Sequence, residues 1–220
     1  MTRAILFDFN GVLVNDEPQH CEALITTLDE YGYALDRERY YAEYLGFDDR
    51  ECFRFTFERL GRPTDPASLS EAIERKASHY ERAIRTSMQL VPGAHAFVHA
   101  AVDDGLALAV VSGALRREID LVLGEAGLLL HFPVIVAAED VAACKPDPEG
   151  YRRAQRLLGV APAACMVIED SLPGLAAARG AGARCVMIAT SHGREMLADA
   201  DAVWDDLDGR HPAELPWLTP

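Results

Sequence analysis

The chain has 220 residues, half of them hydrophobic, enough for one α/β domain with a substantial core or for such a domain carrying an insertion. Its 21 basic residues face 35 acidic ones, and the formal charge of -14 argues against nucleic acid or an anionic membrane surface as the main partner. The five cysteines (Cys21, Cys52, Cys144, Cys165 and Cys185) are odd in number and include no C-x-x-C pair, which argues against a zinc ribbon or disulfide framework and suits buried cytoplasmic thiols.

In chain order, the first predicted element is the apolar run AILFDF at residues 4–9. It is too short for a signal-peptide core, and no later run approaches a membrane span, so a cytoplasmic protein is expected. Asn10-Gly11 follows at once, a pair that favours a hairpin turn because both residues tolerate positive φ. Residues 15–83 hold no strand-like run. Leu, Tyr, Phe and charge recur there at helical spacing, with breaks near Gly32, Gly46 and Gly61-Arg62-Pro63, which predicts a small helical insertion.

From residue 84 onward, apolar runs alternate with amphipathic stretches. ALAVVSG (107–113), PVIVAAED (133–140), CMVIEDS (165–171) and RCVMIAT (184–190) read as strands buried on both faces; LRREIDLVLGEAG (115–127) and PEGYRRAQRLLG (148–159) read as helices. The expected fold is therefore α/β, a doubly wound Rossmann-like parallel sheet built from residues 1–14 and 84–220, with a helical cap domain at 15–83. The proline-rich end RHPAELPWLTP is expected on the surface. His95 and His99 in HAFVH have zinc-compatible spacing, but no adjacent Glu or third ligand accompanies them, and an amphipathic helix surface is the expectation.

The chemistry concentrates where the strands finish: Asp8 after ILF, Ser112 after AVV, Glu169-Asp170 after MVI, and Lys145 in the loop following VIVAAEDVAAC. In an open parallel sheet ligands bind at the carboxyl edge, so groups distant in sequence can converge there. Three carboxylates brought together repel one another unless they share a cation, and hard oxygen ligands suit Mg2+. Lys76 and Lys145 are the only lysines among the 21 basic residues, and an ammonium is a compact point charge that a guanidinium cannot imitate in a tight anionic site.

At this point the sequence resembles the haloacid dehalogenase superfamily, in its β-phosphoglucomutase-like branch of phosphatases and phosphomutases. The likeness spans the chain through DFNGVL (8–13), VVSG (110–113), KPDP (145–148) and IEDSLPGLAAARGAG (168–182), in the family's order with the cap inserted after the first. The resemblance implies that Asp8 is a nucleophile taking the phosphoryl group as an aspartyl phosphate. It places Ser112 and Gly113 against the transferring phosphoryl group and Lys145 against its oxygens. Mg2+ would be held by Asp8, Asp170 and the main-chain carbonyl of Asn10, with Glu169 close by or directly ligating. The dehalogenase branch fits less well, because its first motif resembles D-x-Y-G-T and it needs no metal.

One departure bears on activity. Phosphatases of this family carry aspartate two residues after the nucleophile, as the acid that protonates the leaving oxygen and the base that activates water. Asn10 can do neither, and loss of such a group typically costs about 10²–10⁴-fold in rate. Either the leaving group needs little protonation, or another side chain substitutes, or the protein is a slow form retained for binding.

The resemblance also marks the cap positions Arg50 and Lys76 as substrate contacts. His20, near the start of the cap, is of the residue type whose reference pKa suits proton transfer. The mutase's polar stretch after the second motif is replaced by GALRRE, where Arg116 could partly substitute. The expected function is a Mg2+-dependent phosphohydrolase of a small phosphorylated metabolite; a sugar phosphomutase and a weakened phosphate-ester-binding protein are the alternatives. No obligate protein partner is evident.

Overall fold

A computed structural model describes residues 3–45 and 47–217, so the break at Gly46 and the last three residues of the proline-rich end lie outside the described residues. The strands are β1 (Ala4–Phe7), β2 (Ala107–Val111), β3 (Val134–Val136), β4 (Cys165–Glu169), β5 (Arg184–Ile188) and β6 (Ala202–Trp204), all parallel in the order β3-β2-β1-β4-β5-β6. The helices are α1 (Glu17–Glu30), α2 (Arg37–Glu43), α3 (Asp49–Leu60), α4 (Pro66–Ser87), α5 (Ala94–Asp103), α6 (Arg116–Glu125), α7 (Glu149–Leu158) and α8 (Leu172–Gly180).

β1 lies at the centre, and its four residues are wholly buried because helices cover both sheet faces. On one face Leu6, Val111, Val136, Val167, Cys185 and Met187 pack with Tyr151 and Ala154 of α7 and Leu175 and Ala178 of α8. Phe7, the next residue along β1, contributes to the other face, making edge-to-face contacts with Phe97 of α5 and with Phe132 at centroid distances of 6.2 and 5.7 Å. The register pairs Phe7 with Val110 on one side and with Ile168 on the other. Asp8, Ser112 and Glu169-Asp170 thus emerge at one edge. The chain winds outward from β1 through β2 to β3, then resumes at β4 on the opposite side, so the switch point lies between β1 and β4.

The strands are shorter than their apolar runs. β3 stops at Val136, and residues 138–140 turn into a 3-10 helix. The hairpin turn that an Asn-Gly pair favours does not form here. Asn10 keeps a negative φ, Gly11 alone of the pair is positive, and the amides of Leu13 and Val14 both donate to the Phe9 carbonyl in a wider turn. A two-residue turn of the favoured kind would need both residues at positive φ.

The chain divides into Asp16–Met88 and the remainder on either side of it. The sequence-based boundary at 83/84 falls inside α4, which runs on to Ser87 because Ile84 remains part of its buried face. This unit has its own core of Leu24, Leu28, Tyr44, Phe53, Phe57, Leu69 and Ala72. Asp36, Asp48 and Asp65 cap α2, α3 and α4 by accepting first-turn amides. Where the rest of the chain leaves and resumes, Asn15 donates to Gln89 and Val91 to Leu13, at 2.8 and 3.1 Å. Among the described residues no helix is long and apolar enough to cross a membrane. Cys21, Cys52, Cys165 and Cys185 are free and buried; Cys144, beside Lys145, is exposed, contrary to the expectation for it.

Candidate active site at the carboxyl edge of the sheet

Asp8 follows directly on β1, and its amide donates to the Ile168 carbonyl at 2.9 Å, which ties the end of β1 to β4. The Lys145 ammonium donates to Asp8 Oδ1 and to Glu169 Oε1, both at 2.6 Å. Glu169 is fully buried and heavily solvated by protein donors. Oε1 also accepts the Tyr151 hydroxyl at 3.0 Å, and Oε2 accepts the amides of Asp170 and Ser171 and the Ser171 hydroxyl, each at 2.9 Å. Such a carboxylate cannot turn away, and it fixes the lysine in turn. Ser171 is also the N-cap of α8, accepting from the Gly174 amide.

Asp8, Glu169 and Asp170 are all buried, and each offers an oxygen within 4.8 Å of those of the other two. Burial, reinforced for Asp8 by the Glu169 charge against the pull of Lys145, pushes the Asp8 carboxyl up to about 7. Burial and the charges of Asp8 and Glu169 push Asp170 up to about 8. Burial opposes the Glu169 charge too, yet Lys145 and the Ser171 donors hold that carboxyl below its ordinary value. Two acids straining toward neutrality in an all-oxygen cluster fit a hard divalent cation such as Mg2+, whose charge would favour their ionised forms. Among the described residues this is the one His/Cys/Asp/Glu grouping arranged to hold a metal. The rings of His95 and His99 instead lie tilted against each other on α5 at 4.6 Å, with His131 edge-on to His99 at 4.7 Å.

Ser112, just past β2, accepts the Ala114 amide at 3.0 Å and points its hydroxyl toward Asn10 Oδ1 at 3.5 Å. It does not cap α6, whose N-cap is Leu115. Gly113 is exposed, with nothing within 4 Å of where a Cβ would stand. Arg116, suggested as a partial substitute for the mutase's polar stretch, spends its guanidinium on its own neighbourhood. Its guanidinium donates to the Ile135 carbonyl at 2.5 Å and to Asp140 Oδ2 at 2.9 Å.

Three of the site's partners lay beyond sequence reading. Tyr151 is one. The others are Thr190, whose hydroxyl donates to the Gly11 carbonyl at 2.6 Å, and Ser191, whose hydroxyl donates to Asp170 Oδ2. Gly11, at φ 73°, has no room for a side chain, since a Cβ would fall 2.0 Å from Asp170 Oδ2.

The Asp16–Met88 unit brings together two of its three predicted residues. Lys76 is not a solvated helix charge: it is 3% exposed, ion-paired with Asp49 and 2.9 Å from His20 Nδ1. His20 Nε2 stands 3.2 Å from Asp16 and its ring stacks on Tyr80 at 4.3 Å. Asp16 sits at the N-cap of α1 but spends its carboxylate on His20 and the Tyr80 hydroxyl. Arg50 is exposed on α3.

A parallel sheet with this order and a lysine-bridged acidic cluster at its switch point defines a hydrolase of the haloacid dehalogenase type. Residues 5–188 match the haloacid dehalogenase-like hydrolases, and the chain belongs to that family. It is 31% identical over 218 residues to validoxylamine A 7'-phosphate phosphatase of Streptomyces hygroscopicus subsp. limoneus, covering 94% of this chain and 95% of that one. It is 32% identical over 225 residues to protein CbbY of Rhodobacter capsulatus, covering 98% of each. The crystal structure of CbbY from Rhodobacter sphaeroides in complex with phosphate superposes with a TM-score of 0.86 at 29% identity, covering 97% of this chain and 98% of that one. An aspartate-to-asparagine mutant of that protein in complex with xylulose-(1,5)bisphosphate gives 0.85 at 30% identity, with the same coverage.

Proposed function

We propose that the chain is a Mg2+-dependent phosphohydrolase of a small phosphorylated metabolite and that Asp8 carries the phosphoryl group as an aspartyl phosphate. The observation that carries this reading is the Lys145 ammonium held 2.6 Å from both Asp8 and Glu169 beside Asp170. A compact cation at that point offsets the repulsion between an anionic nucleophile and an anionic ester. Relatives named as phosphatases make phosphoric monoester hydrolysis the reaction class, and the phosphate and xylulose bisphosphate complexes of CbbY favour a small phosphorylated compound.

In this reading an Asp8 oxygen attacks phosphorus as the ester P–O bond breaks, and the alkoxide that leaves takes its proton from solvent water, because the amide at position 10 cannot supply one. Water then attacks phosphorus, breaking its bond to Asp8, giving its proton to solvent and releasing inorganic phosphate. Ser112 hydrogen-bonds the transferring phosphoryl group, Gly113 leaves space beside it, and Lys145 neutralises its oxygens. Asp8, Asp170 and the Asn10 main-chain carbonyl would hold Mg2+, with Glu169 as the third carboxylate of the cluster. When bound, the cation supplies positive charge against the phosphoryl oxygens and the crowded carboxylates.

Asn10 has no proton to give at neutral pH, so turnover is slow for esters with poor leaving groups. His20, Arg50 and Lys76 are assigned to substrate recognition. A sugar phosphomutase is the weaker alternative, because Arg116 is already committed to Asp140. The free, buried thiols of Cys21, Cys52, Cys165 and Cys185 favour a cytoplasmic setting. Phosphate release from a panel of sugar, polyol and nucleoside phosphates, with Mg2+ and with a chelator, tests the reading. Mg2+-dependent release is expected, and equal release in chelator would contradict it.

A further inference from the structure

We propose that Thr190 and Ser191, in the segment after β5, are positioning residues for the cation: Ser191 aims the Asp170 carboxylate, and Thr190 fixes the main chain beside the Asn10 carbonyl. The inference rests on the reading that Asp8, Asp170 and Asn10 hold Mg2+. The Ser191 hydroxyl donates to Asp170 Oδ2. Thr190 Oγ1 stands 2.6 Å from the Gly11 carbonyl and 3.5 Å from the same Asp170 oxygen. A hydroxyl has one hydrogen to give, and the shorter distance assigns it to Gly11.

Asp170 Oδ2 is thus occupied by a neutral donor, which leaves Oδ1 as the oxygen with capacity for a cation. The other hydroxyl close in sequence is unavailable, because Ser171 is spent on Glu169 and on the first turn of α8. The Gly11 carbonyl is one peptide beyond that of Asn10, so holding it restrains the plane in which the Asn10 carbonyl can swing. Gly11 leaves no slack, since even a methyl group there would overlap Asp170. The ends of β1, β4 and β5 therefore meet at one junction whose two hydroxyl groups set the direction of two cation ligands. Partners that orient ligating carboxylates typically contribute about 10–100-fold in metal affinity.

The test is the affinity for Mn2+, a spectroscopically visible divalent probe, titrated by electron paramagnetic resonance into the full-length protein, with thermal melting to check the fold. Asp170→Ala should abolish binding, Ser191→Ala should weaken it about tenfold or more, and Thr190→Val should weaken it less. Ser191→Thr and Thr190→Ser, which restore the donors, should return close to the unaltered protein. Phosphate release should show the same pattern as a higher Mg2+ half-saturation with kcat largely recovered at saturating Mg2+. Folded Ser191→Ala and Thr190→Val proteins that bind Mn2+ like the unaltered protein, while Asp170→Ala does not, would overturn the positioning role alone. Failure of the unaltered protein to bind Mn2+, or full binding by Asp170→Ala, would overturn the cation site itself and this inference with it.

Discussion

Tyr151 donates its phenolic hydrogen to Glu169 Oε1 at 3.0 Å, and the ammonium of Lys145 lies 5.2 Å above the same aromatic ring. Burial and the neighbouring Glu169 charge raise the phenol's pKa well above its ordinary value, so it remains a donor across the accessible pH range. One side chain of α7 thus restrains both members of the ion pair that faces Asp8.

Tyr151→Phe keeps the ring and removes the donor, leaving a buried carboxylate short of one hydrogen bond. The expected loss of stability is about 1–3 kcal/mol, read from urea unfolding midpoints at constant slope. An unchanged midpoint would mean that Glu169 does not depend on this contact.

Gly174→Ala separates close packing from helix propensity. In the middle of an exposed helix the change would stabilise by about 1 kcal/mol. Here a Cβ would stand 1.8 Å from Glu169 Oε1 and 1.9 Å from its Cδ, so the carboxylate or the start of α8 must move. The variant should lose about 1–3 kcal/mol, as overpacked sites do. A gain in denaturant midpoint would show that the junction is looser than the structure describes.

Asn10→Asp should raise hydrolysis, and by more for alkyl or sugar phosphates than for p-nitrophenyl phosphate. A sugar alkoxide needs a proton as the bond breaks, whereas nitrophenolate leaves with little help. Breakdown of the aspartyl phosphate is common to both substrates, so the difference must be read from single-turnover phosphorylation. Equal gains in that step, or no gain on any ester, would contradict an acid/base role for position 10. The negative φ of Asn10 already argues against turn geometry as the reason for the amide.

The parallel strands were legible because central strands buried on both faces read as unbroken apolar runs, and their ends placed Asp8, Ser112 and Glu169-Asp170 at one edge. β6 was not, because its three residues lie between acids at the sheet's margin and carry no run long enough to register. Lys76 stood out as one of two lysines and as a cap position marked for substrate contact, but its burial beside Asp49 and His20 was not legible, since it depends on how α1, α3 and α4 pack. Tyr151, Thr190 and Ser191 were invisible for a related reason. A hydroxyl that serves a partner 18 to 179 positions away leaves no local pattern, and Tyr151 fits the apolar stripe of α7 equally well. Arg116 shows the converse limit, since its spacing in sequence does not reveal that a carbonyl and an aspartate of its own neighbourhood take up its guanidinium.

The most direct test of the account is acid-quenched single-turnover reaction with a phosphate ester and Mg2+, followed by mass spectrometry of the digested protein. The account predicts one phosphoryl group on the peptide containing Asp8, formed before inorganic phosphate appears and absent from a folded Asp8→Asn variant that no longer turns over. Phosphate release by Asp8→Asn at the unaltered rate, with no phosphoryl group on that peptide in either protein, would contradict it.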